Sequence, residues 1–244
     1  MKKTFRMRLL LVIVLVFIQQ YGSIFDLFRA ESTEIYRTVD RLRFFESNVV
    51  DMMSAGDFYM SLLLFVILIL CWGNYIYKDL EVSSIYYFTR NSNIGKWYCR
   101  RIGGLTGYSF LFSGLYFLIS MLIAELLTSA SLFQAEDLSV VLRYTVFSGL
   151  YGFLLTAAVN SIAVLIGAVK SAVLVNIFHA AAAVLGYSAL KNSFGPGFRF
   201  SQITQKKYLC VCAVLLLMDL AVSVLHYLQI THCDLGLIYS EDAV

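Results

Sequence analysis

Asp219 stands near the middle of an apolar run that extends from about 207 to 230. A carboxyl at mid-membrane depth is costly, and such groups either serve a function or sit paired. His226 lies seven residues further on and shares that helix face, and His179 in the preceding apolar run is a second candidate partner. The sharper reading of these side chains is a proton relay, and the plainer one is a hydrogen-bonded buried Asp. Asn160 and Ser161, and Asn176 further along, are polar positions inside apolar runs. They either hydrogen-bond between helices or line a path for a substrate, and Asn160, Asn176, His179 and Asp219 are the residues such a path would use.

A second group of chemically interesting residues lies in the polar stretch DLEVSSIYYFTRNSNIGKWYCRR, residues 79–101, between two apolar runs. Apolar side chains such as Leu80, Ile85 and Phe88 can share one face, so a short helix at the membrane surface is predicted here. Glu81 falls in its first turn, where a carboxylate suits the helix dipole. Glu81 and Arg90 are nine residues apart, too far for a one-turn ion pair, so at least one is free to meet a partner. Trp97 and Tyr98 read as interfacial anchors before the next span. An ordinary cytoplasmic anchor loop explains most of these features as well.

Several chemistries have no motif here. The nearest approach to a nucleotide-binding Gly-x-x-x-x-Gly-Lys segment is Gly95-Lys96, which lacks the upstream Gly and the following Ser or Thr. There is no His-Glu-x-x-His, and Asp219 is the single Asp deep in an apolar run. Cys71, Cys99, Cys210, Cys212 and Cys233 form no zinc spacing. His226, His232 and Cys233 near the tail are too few for a metal site. No catalytic set or resident cofactor is therefore assigned to this chain, and it is not read as an enzyme.

The elements that must position these residues follow from composition. Of 244 residues, 59% are hydrophobic and 14% charged, against about 25% charged in a soluble domain, and mean hydropathy is +0.75. The chain is too poor in polar groups to cover a water-soluble globule of this size. The expected class is all-α: a polytopic membrane protein forming a single transmembrane domain over 1–244. Six spans are predicted, at about 9–25, 58–77, 104–127, 140–166, 171–190 and 207–230, each near the ~20 residues a bilayer requires. The start, MKKTFRMRLLLVIVLVFI, resembles a signal peptide, but no small-x-small cleavage site follows, so an uncleaved first span is expected.

Lys2, Lys3, Arg6 and Arg8 precede the first span without an acid, which places the N-terminus in the cytoplasm. Six spans then put 78–103 inside, with Lys78, Arg90, Lys96, Arg100 and Arg101. The stretch 191–206 dissents, being outside yet basic. Residues 30–53 carry Ile35, Val39, Leu42, Val49 and Met53 near helical spacing and predict an extracellular amphipathic helix. FGPGF at 194–198 predicts a turn.

The order Glu81, Thr89-Arg90, Lys96-Trp97 between the second and third spans resembles the integral membrane permeases of ABC-2-type transporters, and the chain is similar to the small permeases of Gram-positive bacteria for peptide export or bacteriocin immunity. The resemblance is specific over about 80–101 and otherwise lies in architecture. The family often has a Pro near the Ser/Thr-Arg step, where this chain has Tyr87-Phe88. The resemblance implies that 79–101 contains a cytoplasmic coupling helix, with Glu81, Thr89, Arg90, Lys96 and Trp97 engaging a separate ABC ATPase subunit that binds ATP-Mg. It also implies a homo- or heterodimer of permeases in a bacterial plasma membrane, working as an exporter, with no nucleic-acid partner. Two other classes remain open: a proton-coupled carrier using Asp219, and a membrane interaction or immunity protein that transports nothing.

Overall fold

The computed structural model describes residues 55–80, 93–128, 135–194 and 205–232, together with the helical positions Leu10, Ile13, Val14 and Phe17. Five long helices follow one another: α1 Ala55–Trp72, α2 Ile94–Thr128, α3 Ala135–Ile166, α4 Ala168–Phe194 and α5 Gln205–His232. Leu63–Leu80, Ile94–Ile119, Val141–Ile166 and Gln205–His232 are long and apolar enough to cross a membrane, and Ala168–Ala182 is a shorter apolar helix. The chain is a polytopic, all-α membrane protein. The predicted spans 104–127, 140–166, 171–190 and 207–230 fall on helices, and 58–77 does so except at the turn Gly73–Asn74. The span at 9–25 lies almost wholly, and the amphipathic helix at 30–53 entirely, outside the described residues.

α2 begins at Ile94, well before the predicted 104. Its first turns carry Lys96, Arg100 and Arg101, which depress hydropathy enough to read as loop. On a helix the same residues separate by face: Lys96 and Arg100 are exposed, while Trp97 and Tyr98 turn inward. Asn93 supplies the start signal, its Oδ1 accepting the Lys96 N–H at 3.0 Å, as an N-cap side chain does for the third helical amide. With 35 residues, α2 is about 52 Å long. That exceeds the ~30 Å hydrocarbon thickness, so α2 tilts or projects beyond it.

α3 is the central helix and packs against each of the other four. Small residues allow the approach. A Cβ on Gly149 would lie 2.7 Å from the Phe110 ring, and one on Gly152 would lie 2.5 Å from Leu68 Cδ2. Without side chains at these two positions, α2 and α1 close onto α3, as expected where helices associate in lipid by packing. Contacts along the helices give their directions. α1 runs parallel to α3, with Leu68 beside Gly152 and Ile76 beside Asn160. α5 is also parallel to α3, with Tyr208 near Arg143 and Gln229 near Ser161. α2 and α4 run the other way.

α3 and α4 read in the sequence as one apolar stretch with a break near Lys170. The break is at Gly167, the one residue between the helices, with φ +83°. Its N–H donates to Ala163 O at 2.9 Å, and its carbonyl accepts the Ser171 N–H at 3.2 Å. The first bond closes α3 by the left-handed cap motif, and the second opens α4, so the chain reverses with its backbone groups engaged.

Candidate functional site

Four chain segments converge at one end of the bundle: the end of α1 and its continuation, the start of α2, the α3–α4 link, and the end of α5. This end carries the exposed cations Lys78, Lys96, Arg100 and Lys170. It is also where polar groups inside the bundle meet.

α1 stops at Trp72, and a second short helical stretch runs over 75–80. Gly73 N–H still reaches Ile69 O at 2.7 Å, and Lys78 N–H bonds to Asn74 O at 3.0 Å. A break of this kind strips amides between those points of their helical partners, which is costly away from water. Ile76 and Tyr77 are both buried, and their N–H groups donate to Asn160 Oδ1 on α3, at 2.9 and 3.0 Å. Asn160 Nδ2 donates to Thr156 O at 2.7 Å. That arrangement sets the amide orientation, since the oxygen must face the two donors and the nitrogen the carbonyl. With Asn74 as the N-cap residue, Ile76 and Tyr77 are the second and third helical positions. These are the amides a local cap would serve, and a side chain 83 or 84 residues away in sequence serves them instead.

The 75–80 stretch is also tied to α2. Arg101 Nη2 pairs with Asp79 Oδ2, and both side chains are only about a fifth exposed. Arg101 Nη1 donates to the Tyr75 hydroxyl at 3.2 Å, and the guanidinium lies 5.8 Å from the Tyr75 ring centroid. Tyr75 meets Tyr108 edge-on at 5.2 Å. On the far side, the Tyr98 hydroxyl donates to Ser223 O on α5 at 2.7 Å and lies 3.4 Å from His226 Nδ1. Ser161 Oγ donates to Gln229 Oε1 at 2.6 Å. The 75–80 stretch, α2, α3 and α5 are thereby connected by polar contacts at this end.

The residues singled out in the sequence fall in separate places. Glu81, Thr89 and Arg90 lie outside the described residues. Lys96 is exposed on the first turn of α2, whereas Trp97, 5% exposed, packs into the core. Asn160 is fully buried and its amide is engaged as described. Asn176 donates to Ala172 O in its own helix at 2.8 Å. His179 Nδ1 is 2.9 Å from the Tyr151 hydroxyl, and Phe65 stands edge-on to the imidazole at 5.3 Å. Asp219 is 5% exposed, and neither carboxyl oxygen has a hydrogen-bond partner among the described residues. It lies on the α5 stripe with Cys212, Leu215 and His226 and bonds to neither histidine, since His226 turns to Tyr98 and His179 to Tyr151.

Asn160, Asn176 and His179 each bond to a different partner, and Asp219 to none among the described residues. Among the described residues, no group of three His, Cys, Asp or Glu side chains is placed to hold a metal ion. Asp79, Arg101, Tyr75, Tyr98 and Gln229 were not legible as a group, because their contacts join different helices. Asn93 carried a signal, being a capping residue type, but the basic residues that follow it concealed the helix it starts. No protein-family model, curated protein or solved structure matches this chain.

Proposed function

We propose that this chain is the membrane permease subunit of an ABC-2-type exporter, driven by a separate ATPase subunit that docks on the cytoplasmic loop 79–101. The observation that carries the reading is the bracing of that loop at both ends. On one side Asp79 is held by Arg101 and the amides of Ile76 and Tyr77 by Asn160. On the other, Asn93 caps α2, and Trp97 and Tyr98 are buried. A loop that receives force from a partner has to deliver it to the spans without absorbing it in its own attachment. Four exposed cations at the same end, Lys78, Lys96, Arg100 and Lys170, against Lys206 and Lys207 at the start of α5, support a cytoplasmic orientation by the positive-inside bias. With a span at about 9–25, this reading has the N-terminus in the cytoplasm as well. Glu81, Thr89, Arg90 and Lys96 are the docking residues in this reading, and ATP-Mg is bound by the partner. The permease works as a homo- or heterodimer in a bacterial plasma membrane, the path forming between two such bundles.

The test is extraction in mild detergent and identification of what co-purifies, with wild type beside a Glu81→Ala, Arg90→Ala double variant. An ATPase subunit retained by the wild type and lost from the variant is the expected result. An intact, folded chain that carries no ATPase from its native membrane would refute the reading.

One observation favours a second reading, a proton-coupled carrier. Asp219 is buried in a membrane span with neither carboxyl oxygen hydrogen-bonded among the described residues, as suits a group that takes up and releases a cation. In that case Asp219→Asn abolishes transport, while depletion of cellular ATPases with the proton gradient held constant does not.

A further inference from the structure

We infer that the helical stretch 75–80 is mechanically an extension of α3, not of α1, and that Asn160 is the positioning residue that joins them. The stretch follows α1 in sequence, but helical hydrogen bonding is interrupted between the two. Gly73 sits at the interruption, where a Cβ would collide with Ile69 O. The path from α1 to 75–80 is therefore the covalent chain through Gly73 and Asn74. The path from α3 is two hydrogen bonds in a fully buried site, from Asn160 to Ile76 and Tyr77. Asn160 is itself fixed by Nδ2 to Thr156 O, one turn back on α3. Arg101 of α2 adds the Asp79 and Tyr75 contacts from the opposite side.

A broken span tolerates its freed amides only where protein re-satisfies them, so whichever element supplies the acceptor becomes the element the broken piece moves with. Here that element is the central helix. Displacement of 75–80 thus passes to α3, which touches every other described helix, and α1 is free to bend at Gly73. The functional sense of this route rests on the proposed docking at 79–101. The mechanical claim does not, and the experiment reads the mechanical claim alone.

The experiment is hydrogen exchange on the full chain in lipid nanodiscs, resolved to peptides over 75–80, 60–70 and 152–166, as temperature is raised. In the wild type, Ile76 and Tyr77 are expected to exchange slowly and to open together with 152–166, because amides in one cooperative unit share an opening equilibrium. Opening together with 60–70 would overturn the inference, as would fast exchange of both amides in the native protein. Asn160→Leu removes the acceptor. Asn160→Ser is the milder change, leaving a polar side chain too short to reach both amides. In either variant, 75–80 is expected to exchange about tenfold faster or more, the size of effect a net hydrogen bond produces, with 152–166 unchanged. Unaltered protection of 75–80 in a folded variant would also overturn it. Should neither variant fold, the wild-type comparison decides. An ATPase that fails to co-purify would remove the docking reading and leave these exchange results standing, so the two failures are distinguishable.

Discussion

Replacing Gly167 and Gly103 separately by Ala submits one chemical change to two backbone conformations. At neither position would the new methyl carbon meet any atom within 4 Å, so steric packing drops out of the comparison. Gly103 lies within α2 in helical conformation, where Ala is favoured over Gly by about 0.5–1 kcal/mol. Gly167 has φ +83°, where an L-residue costs roughly 1–2 kcal/mol. The reduction in unfolded-state freedom is the same for both substitutions and cancels. The two variants should therefore separate by roughly 1–2 kcal/mol, the left-handed cost alone, with Gly103→Ala above the wild type and Gly167→Ala below it. For a chain of this size, at roughly 2–4 °C per kcal/mol, the gap is about 2–8 °C in the unfolding midpoint. Gly167→Asn should lose less than Gly167→Ala, because Asn enters the left-handed region more readily. Thermal unfolding of detergent-solubilised protein, followed by intrinsic Trp and Tyr fluorescence, reads the shifts. If both Ala variants move in the same direction, the turn at Gly167 is not the left-handed cap described above, and the reasoning fails.

Three further outcomes follow from the packing. Gly149→Leu must displace the Phe110 ring and should destabilise by about 1–3 kcal/mol, whereas Gly107→Leu, in open space on α2, should change little; equal effects in the same unfolding assay would contradict the α2–α3 contact. Asp219→Leu removes a buried carboxyl without a hydrogen bond among the described residues and should be neutral or stabilising by about 1–3 kcal/mol, so a loss beyond about 1 kcal/mol would reveal a partner. A double-mutant cycle of Ser161→Ala with Gln229→Ala should give a coupling of roughly 0.6 kcal/mol, the usual size for interhelical hydrogen bonds in membranes, and a coupling of zero would place α5 differently against α3.

The five long helices were legible because each rests on a local sum. About 20 apolar residues in a row decide a span, whatever the rest of the chain does, and only the charged first turns of α2 misled that sum. The α3–α4 boundary was legible to within a few residues but was credited to Lys170. A glycine in an apolar stretch looks like any small packing residue until its φ is known. Gly149 and Gly152 are likewise two small residues in an apolar run, and which neighbours they admit is set only by the fold. Of the candidate site residues, Asn160 was recognisable as a polar group in lipid, and its two readings, interhelical bond or path lining, could not be separated. That choice depends on which backbone lies opposite Asn160, and the opposing backbone belongs to a break at Gly73–Asn74 that hydropathy does not register.

Composition and run length alone determine that this chain is a helical membrane protein and roughly where its helices lie. Which polar groups meet was decided only by the tertiary structure. Asn160 finds Ile76 and Tyr77, Arg101 finds Asp79, and Asp219 finds neither histidine. The physical reason is that hydropathy is additive along a helix and indifferent to rotation about its axis, whereas a hydrogen bond reaches about 3 Å and depends on the rotation and depth of two helices at once. Those settings are fixed by small residues such as Gly149 and Gly152, whose effect is felt through partners distant in sequence.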